Sequence, residues 1–153
     1  MTAIHRVAGT FATACLLFTG AATIHGDDLG SSVNQQLAAA RAATAKYHDS
    51  DVALADGYAN LGANPAEADE IEFVNFGLVG CTLDATQPAA LNYIVSGNGL
   101  RLVGVEYSIP KACAPTPPAD FLPGAGEWVE EAGAPVWSYR VPLWSGNSSG
   151  GSH

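Results

Sequence analysis

Apolar positions follow two different periods along the chain. Val33, Leu37, Ala40, Thr44 and Tyr47 recur at steps of four and three, the spacing that keeps side chains on one face of an α-helix. Ser32 followed three residues later by Gln35 has the form of a capping box, in which each side chain satisfies a backbone N–H left open by the first turn. The pattern predicts a helix over residues 33–47. Asp49, Ser50 and Asp51 are N-cap types, and Val52, Leu54 and Ala55 predict a shorter second helix that Gly57 ends. Gly62, Asn64 and Pro65 then open an acidic loop at Glu67, Asp69 and Glu70.

Beyond residue 70 the period shortens to two. Residues 71–76 set Ile71, Phe73 and Asn75 against Glu72, Val74 and Phe76, the alternation of a β-strand. Two β-rich runs, 91–95 and 100–107, flank Ser96-Gly97-Asn98-Gly99, a hairpin signal because Asn and Gly tolerate positive φ. Residues 137–143 predict a last strand, which Pro142 places at an edge because proline cannot donate to a ladder. A Pro-rich loop spans 110–126. Helices followed by strands predict an α+β fold, with two N-terminal helices packed on a small, curved, barrel-like antiparallel sheet.

The chain opens with a different kind of segment. His5 and Arg6 precede a charge-free run through Phe11, Leu16, Leu17 and Phe18 that ends in Thr19, Gly20, Ala21 and Ala22, the layout of a secretory signal peptide over residues 1–22. A membrane anchor is the rival, since the run extends to Gly26 and approaches the roughly 20 residues of a spanning helix. Ala, Gly and Thr dilute it, and no stop-transfer charges follow. Cys15 lies inside the apolar run, which argues against lipidation. The expected organisation is one domain over 23–144, then a disordered Gly/Ser tail over 145–153, in a secreted or periplasmic protein with no membrane contact after cleavage.

Composition narrows the partners. Six Lys or Arg against 15 Asp or Glu give a formal charge of −9 over 153 residues, which disfavours nucleic acid and anionic membrane surfaces. Apolar residues make up 48% and charged ones 14%, against about 25% charged in an average domain, so a packed core is expected rather than an acidic coil. Of the 3 Cys, Cys15 leaves with the signal, and Cys81 and Cys113 remain as the expected disulfide in an oxidising compartment. On chain entropy alone that bond contributes roughly 3.5 kcal/mol. Neither a C-x-x-C spacing nor a flanking His points to a redox or metal pair.

No hydrolase, kinase, dinucleotide, P-loop, zincin or EF-hand motif is present, and only His48 falls among the predicted helices and strands, so His triads and multi-His zinc sites lack their parts. No metal or cofactor is expected, and His48 reads as structural, at the junction of the two helices. The strand charges are more informative. Strict alternation places Glu106 with Leu100, Leu102 and Gly104, Glu72 with Val74 and Phe76, and Arg140 with Ser138 and Pro142. A carboxylate on an apolar strand is solvated or paired, because a lone buried charge costs several kcal/mol. Glu72, Glu106 and Arg140 together would line a sheet-built pocket; a structural ion pair explains the same pattern.

A resemblance adds to this. The segments Ala45-Lys46-Tyr47-His48-Asp49, Ala53-Leu54-Ala55-Asp56-Gly57-Tyr58, Phe73-Val74-Asn75 and Leu100-Arg101-Leu102-Val103-Gly104-Val105-Glu106-Tyr107 resemble a group of uncharacterised exported bacterial proteins, over roughly residues 42–144. In that group the stretch aligned with Glu72-Phe73-Val74-Asn75 reads His-Tyr-Val-Asn, and a His stands where this chain has Arg140. Those His with the Glu at position 106 would hold a divalent metal in the relatives. This chain has neither His, and Arg140 stays protonated and cannot ligate. The resemblance implies a shared fold and export, and names no reaction.

Two function classes follow. The first is an exported, non-catalytic domain that binds a small molecule or protein partner through Glu72, Glu106, Arg140 and Trp137, with Trp128, Tyr139 and Trp144 as further aromatic surface. The same aromatics on strands are equally suited to the core. The alternative is a metal-independent enzyme with Glu72 or Glu106 as general acid or base and Arg140 stabilising developing negative charge.

Overall fold

A computed structural model describes residues 26–145, apart from 65, 66, 98, 120, 131 and 132. The signal segment over 1–22 and the tail after Ser145 lie outside the described residues. Helix α1 runs Gly26–Thr44, longer at its start than the apolar spacing predicts. It stops where the Thr44 hydroxyl donates to the Ala40 carbonyl at 2.7 Å and a 3-10 turn, Ala45–His48, takes over. Asp49 then caps α2, Ser50–Ala55, its side chain accepting from the Asp51 N–H at 3.0 Å. Gly57, at φ +91°, closes that segment as expected. A six-residue α2 is little more than one turn, so one long helix, rather than two, packs on the sheet. Asp49→Ala should lower stability by about 1 kcal/mol in urea unfolding, the usual loss for an N-cap; no change would show that the 3-10 turn alone starts α2.

The strands are β1 Ala59–Asn64, β2 Glu67–Val74, β3 Ala90–Ser96, β4 Gly99–Pro110, β5 Glu127–Val129 and β6 Val136–Val141. They form one antiparallel sheet in the order β1-β2-β3-β4-β6-β5. Because β1 and β5 are edges, the sheet is open and not closed into a barrel. β1 and β5 carry no clean apolar alternation, and pairing rather than propensity makes them strands. The acidic residues expected in a loop belong to β2 for the same reason, with Glu70 opposite Ile94. β6 lies between β4 and β5, not at an edge, and Pro142 sits one residue past its end, where no ladder donor is required.

Register assigns the two faces, since antiparallel partners project to the same side. Phe73 opposite Leu91, Leu91 opposite Val105 and Tyr107 opposite Tyr139 turn one face to the core, where Ala40, Tyr47 and Ala53 of the helical layer meet them. Tyr93 ties the layers together by donating to the Tyr47 carbonyl at 2.6 Å. The reverse face carries Glu72, Asn92 and Gly104 in one row and Val74, Ala90, Glu106 and Arg140 in the next. A bulge changes the phase of β4: Gly104 pairs with Asn92 but Leu102 with Tyr93, leaving Val103 as the extra residue. Leu102 therefore enters the core with no exposure, whereas Glu106 faces the other way, so the two do not share a side as strict alternation predicts.

Cys81 and Cys113 are bonded, with Cα atoms 5.4 Å apart. The bond joins the segment after a 3-10 turn at Phe76–Leu78 to the turn that follows β4. Tyr58 and Tyr107 hold that segment from beneath, donating to the carbonyls of Pro88 at 2.8 Å and Ala85 at 2.7 Å.

Candidate functional site

The reverse face of the sheet floors a cavity of about 530 Å³. Its walls are apolar: Leu61 from β1, Val74 at the end of β2, Phe76 from the 3-10 turn that follows, Val79 from the disulfide-tethered segment, and Pro110, Pro135 and Val136 where β4 and β6 meet. Glu72, Glu106, Ser108 and Ser138 supply its polar groups. Phe76 and Leu61 are 67% and 53% exposed, so the cavity has an apolar mouth. The polar side chains come from paired strands, which fixes them better than loops would.

Arg140 lies directly across from Glu106, and its Nε and Nη2 each approach Glu106 Oε2 at 3.3 Å. The two side chains are 12% and 4% exposed, so this is a desolvated pair and not a surface contact. The structure therefore brings together three of the residues singled out in the sequence. Glu72 and Glu106 line one cavity, and Arg140 is bound to the second of them. Ser108 and Ser138 form the next cross-strand pair, with hydroxyls 3.5 Å apart, too far for a strong hydrogen bond. Both hydroxyls keep bonding capacity for something else.

Asn92 was not singled out in the sequence. It is 1% exposed, stands between Glu72 and Gly104 on the same face, and neither Oδ1 nor Nδ2 has a partner among the described residues. A buried amide left this way costs about 1–3 kcal/mol. The signal was present, as a polar residue between Leu91 and Tyr93 in an otherwise apolar run, but no sequence rule separates such a residue from a solvated one.

Trp137 lies on the other face of β6, away from the cavity lining. Its Nε1 donates to the Ala114 carbonyl at 3.0 Å, and the Lys111 ammonium sits 4.7 Å from its ring centre. The other aromatics are also clamps. Trp128 Nε1 donates to the Pro118 carbonyl, Tyr139 donates to Leu122 and accepts from the Gly126 N–H, and Trp144 Nε1 donates to the Thr44 hydroxyl. His48 packs edge-on against Trp144 at 4.5 Å. Burial raises the phenol pKa of Tyr107 and of Tyr139, so both stay protonated donors at neutral pH.

A second cleft, beside the 3-10 turn, contains Lys46, Tyr47, Asp56 and Tyr58. Its charges are internally matched: Asp56 accepts from Lys46 and Tyr47, which lowers its pKa, and the same bond to Asp56 raises that of Lys46. Among the described residues no group of three or more His, Cys, Asp and Glu side chains is placed to hold a metal, and no helix is long and apolar enough to cross a membrane. The chain matches no protein-family model, curated protein or solved structure at significant similarity, so functional inference rests on this geometry.

Proposed function

We propose that this protein is an exported, non-catalytic binding domain that takes a small, mainly apolar molecule into the cavity on the reverse face of its sheet. The cavity itself carries the reading. Its size falls within the roughly 300–1,000 Å³ of small-molecule sites, with apolar walls and a few polar groups on rigid strands. The bond between Cys81 and Cys113 supports an oxidising compartment, in keeping with the signal-like first 22 residues and the resemblance to exported bacterial proteins. The pairing of Glu106 with Arg140 argues for binding over acid–base catalysis, because a carboxylate engaged in this way acts as a fixed acceptor.

Non-denaturing mass spectrometry of the protein purified from its exporting host tests the proposal. Wild type should carry a small-molecule adduct, and Ser138→Phe, which fills the cavity from its floor, should lose it while unfolding at a similar temperature. An adduct-free wild type, or equal retention by the folded variant, would overturn the reading.

A further inference from the structure

The sheet beneath the cavity changes character along β4 and β6. These strands pair Glu106 with Arg140, then Ser108 with Ser138, then Pro110 with Val136, all three pairs on the reverse face. The first pair is charged and closed on itself, and Arg140 and Glu72 are each engaged by further groups as well. The charged side chains are therefore already occupied within the protein. The last pair belongs to the apolar wall, with Val74, Phe76 and Pro135. Between these two ends stand the hydroxyls. Ser108 and Ser138 are 8% and 6% exposed, both line the cavity, and each has the other as its only side-chain hydrogen-bond partner among the described residues, at 3.5 Å. That contact is well beyond the usual O–H···O separation of about 2.7–2.8 Å. Two hydroxyls also hold two protons, and a bond between them uses one. The second proton has no acceptor among the described residues, so a buried donor faces the cavity's polar floor unmatched.

We infer that the ligand is an electrically neutral molecule with an apolar body and an acceptor oxygen, such as the carbonyl of a ketone or ester, which accepts from the Ser108–Ser138 pair. This rests on the cavity being a binding site, as proposed above. The carbonyl takes the unmatched hydroxyl proton, and the body lies against Pro110 and Val136, the next pair along the same strands. A carboxylate would have to lose its hydration beside Glu106, whose guanidinium partner is already bound. An ammonium would lose its hydration in the same way and compete with Arg140 for a carboxylate that is already paired. A hydrocarbon would cover the walls and leave the second hydroxyl proton unmatched. A neutral acceptor satisfies the walls and the hydroxyls together.

The test uses four probes that share a phenyl ring and differ in their polar ends: acetophenone, ethylbenzene, phenethylammonium and phenylacetate. Isothermal titration of the full-length protein, dialysed free of small molecules, should show saturable binding of acetophenone and ethylbenzene and much weaker binding of both ions. Ser108→Ala combined with Ser138→Ala should weaken acetophenone about fivefold, the effect of one neutral hydrogen bond, and leave ethylbenzene unchanged or tighter. That divergence separates a ligand contact from a purely structural pair, whose loss would move both probes together. In the wild type, the C=O stretch of bound acetophenone should lie below its frequency in an alkane, a reading that depends on no variant. An ion that binds more tightly than acetophenone, an acetophenone affinity that follows that of ethylbenzene in the double variant, or an unshifted C=O stretch overturns the neutral-acceptor assignment and leaves the cavity reading intact. If none of the four probes binds wild type, both fail.

Discussion

Arg140→Met is expected to destabilise the protein by about 3–5 kcal/mol, the cost of leaving a buried carboxylate without its counter-charge. Glu106 is held between Ala90 of β3 and Arg140 of β6 in the middle of the sheet, at 4% side-chain exposure, so bulk water replaces the guanidinium poorly. The loss comes from the stranded charge and not from the attraction itself. For that reason Glu106→Gln combined with Arg140→Met should recover most of the stability lost in the single variant. The exposed pair Lys46–Asp56, at 53% and 38% exposure, should respond far less to the same treatment. Urea unfolding of the four proteins in the Glu106–Arg140 cycle measures the coupling, and a loss of less than about 1 kcal/mol in Arg140→Met would mean that Glu106 is effectively solvated.

Cys81→Ser combined with Cys113→Ser should cost roughly 3.5 kcal/mol, because the bond spans 32 residues and its removal frees that loop in the unfolded chain. The effect should extend to binding. Val79 precedes Cys81 by two residues and Pro110 precedes Cys113 by three, and both are walls of the cavity. The Cys113 N–H donates to the Pro110 carbonyl at 2.8 Å, so the turn that carries the disulfide also sets the end of β4. The double variant should therefore unfold at lower urea and retain less of the small-molecule adduct expected on the wild type. Unchanged affinity in a destabilised variant would separate the staple from the site.

Much of the architecture was legible in the chain, for identifiable reasons. The disulfide followed from two cysteines downstream of a signal-like segment, and the β3–β4 hairpin from a turn rich in Gly and Asn. Glu72, Glu106 and Arg140 stood out as charges in apolar strands, and register does bring Glu106 against Arg140. What escaped depended on pairing. β1 and β5 have weak strand patterns and are recruited by β2 and β6, and once β5 is added β6 becomes interior. The bulge at Val103 cannot be read from alternation, yet it decides that Leu102 packs in the core while Glu106 faces the cavity. Trp137 looked available for a ligand but is used to fasten the Pro-rich loop, as aromatic residues on a core face commonly are. Asn92 has meaning only once its neighbours are known, because an amide in a strand becomes costly when both of its sides are buried.

The central claim is that the sheet uses one face to build the core and the other to hold a small molecule. The most direct test is a crystal structure of the wild-type protein purified from its native host. The expected result is continuous density for one small molecule between Val74, Ser108 and Val136. A cavity closed by its own Phe76 and Pro135 side chains, with no room left above Ser138, would contradict it.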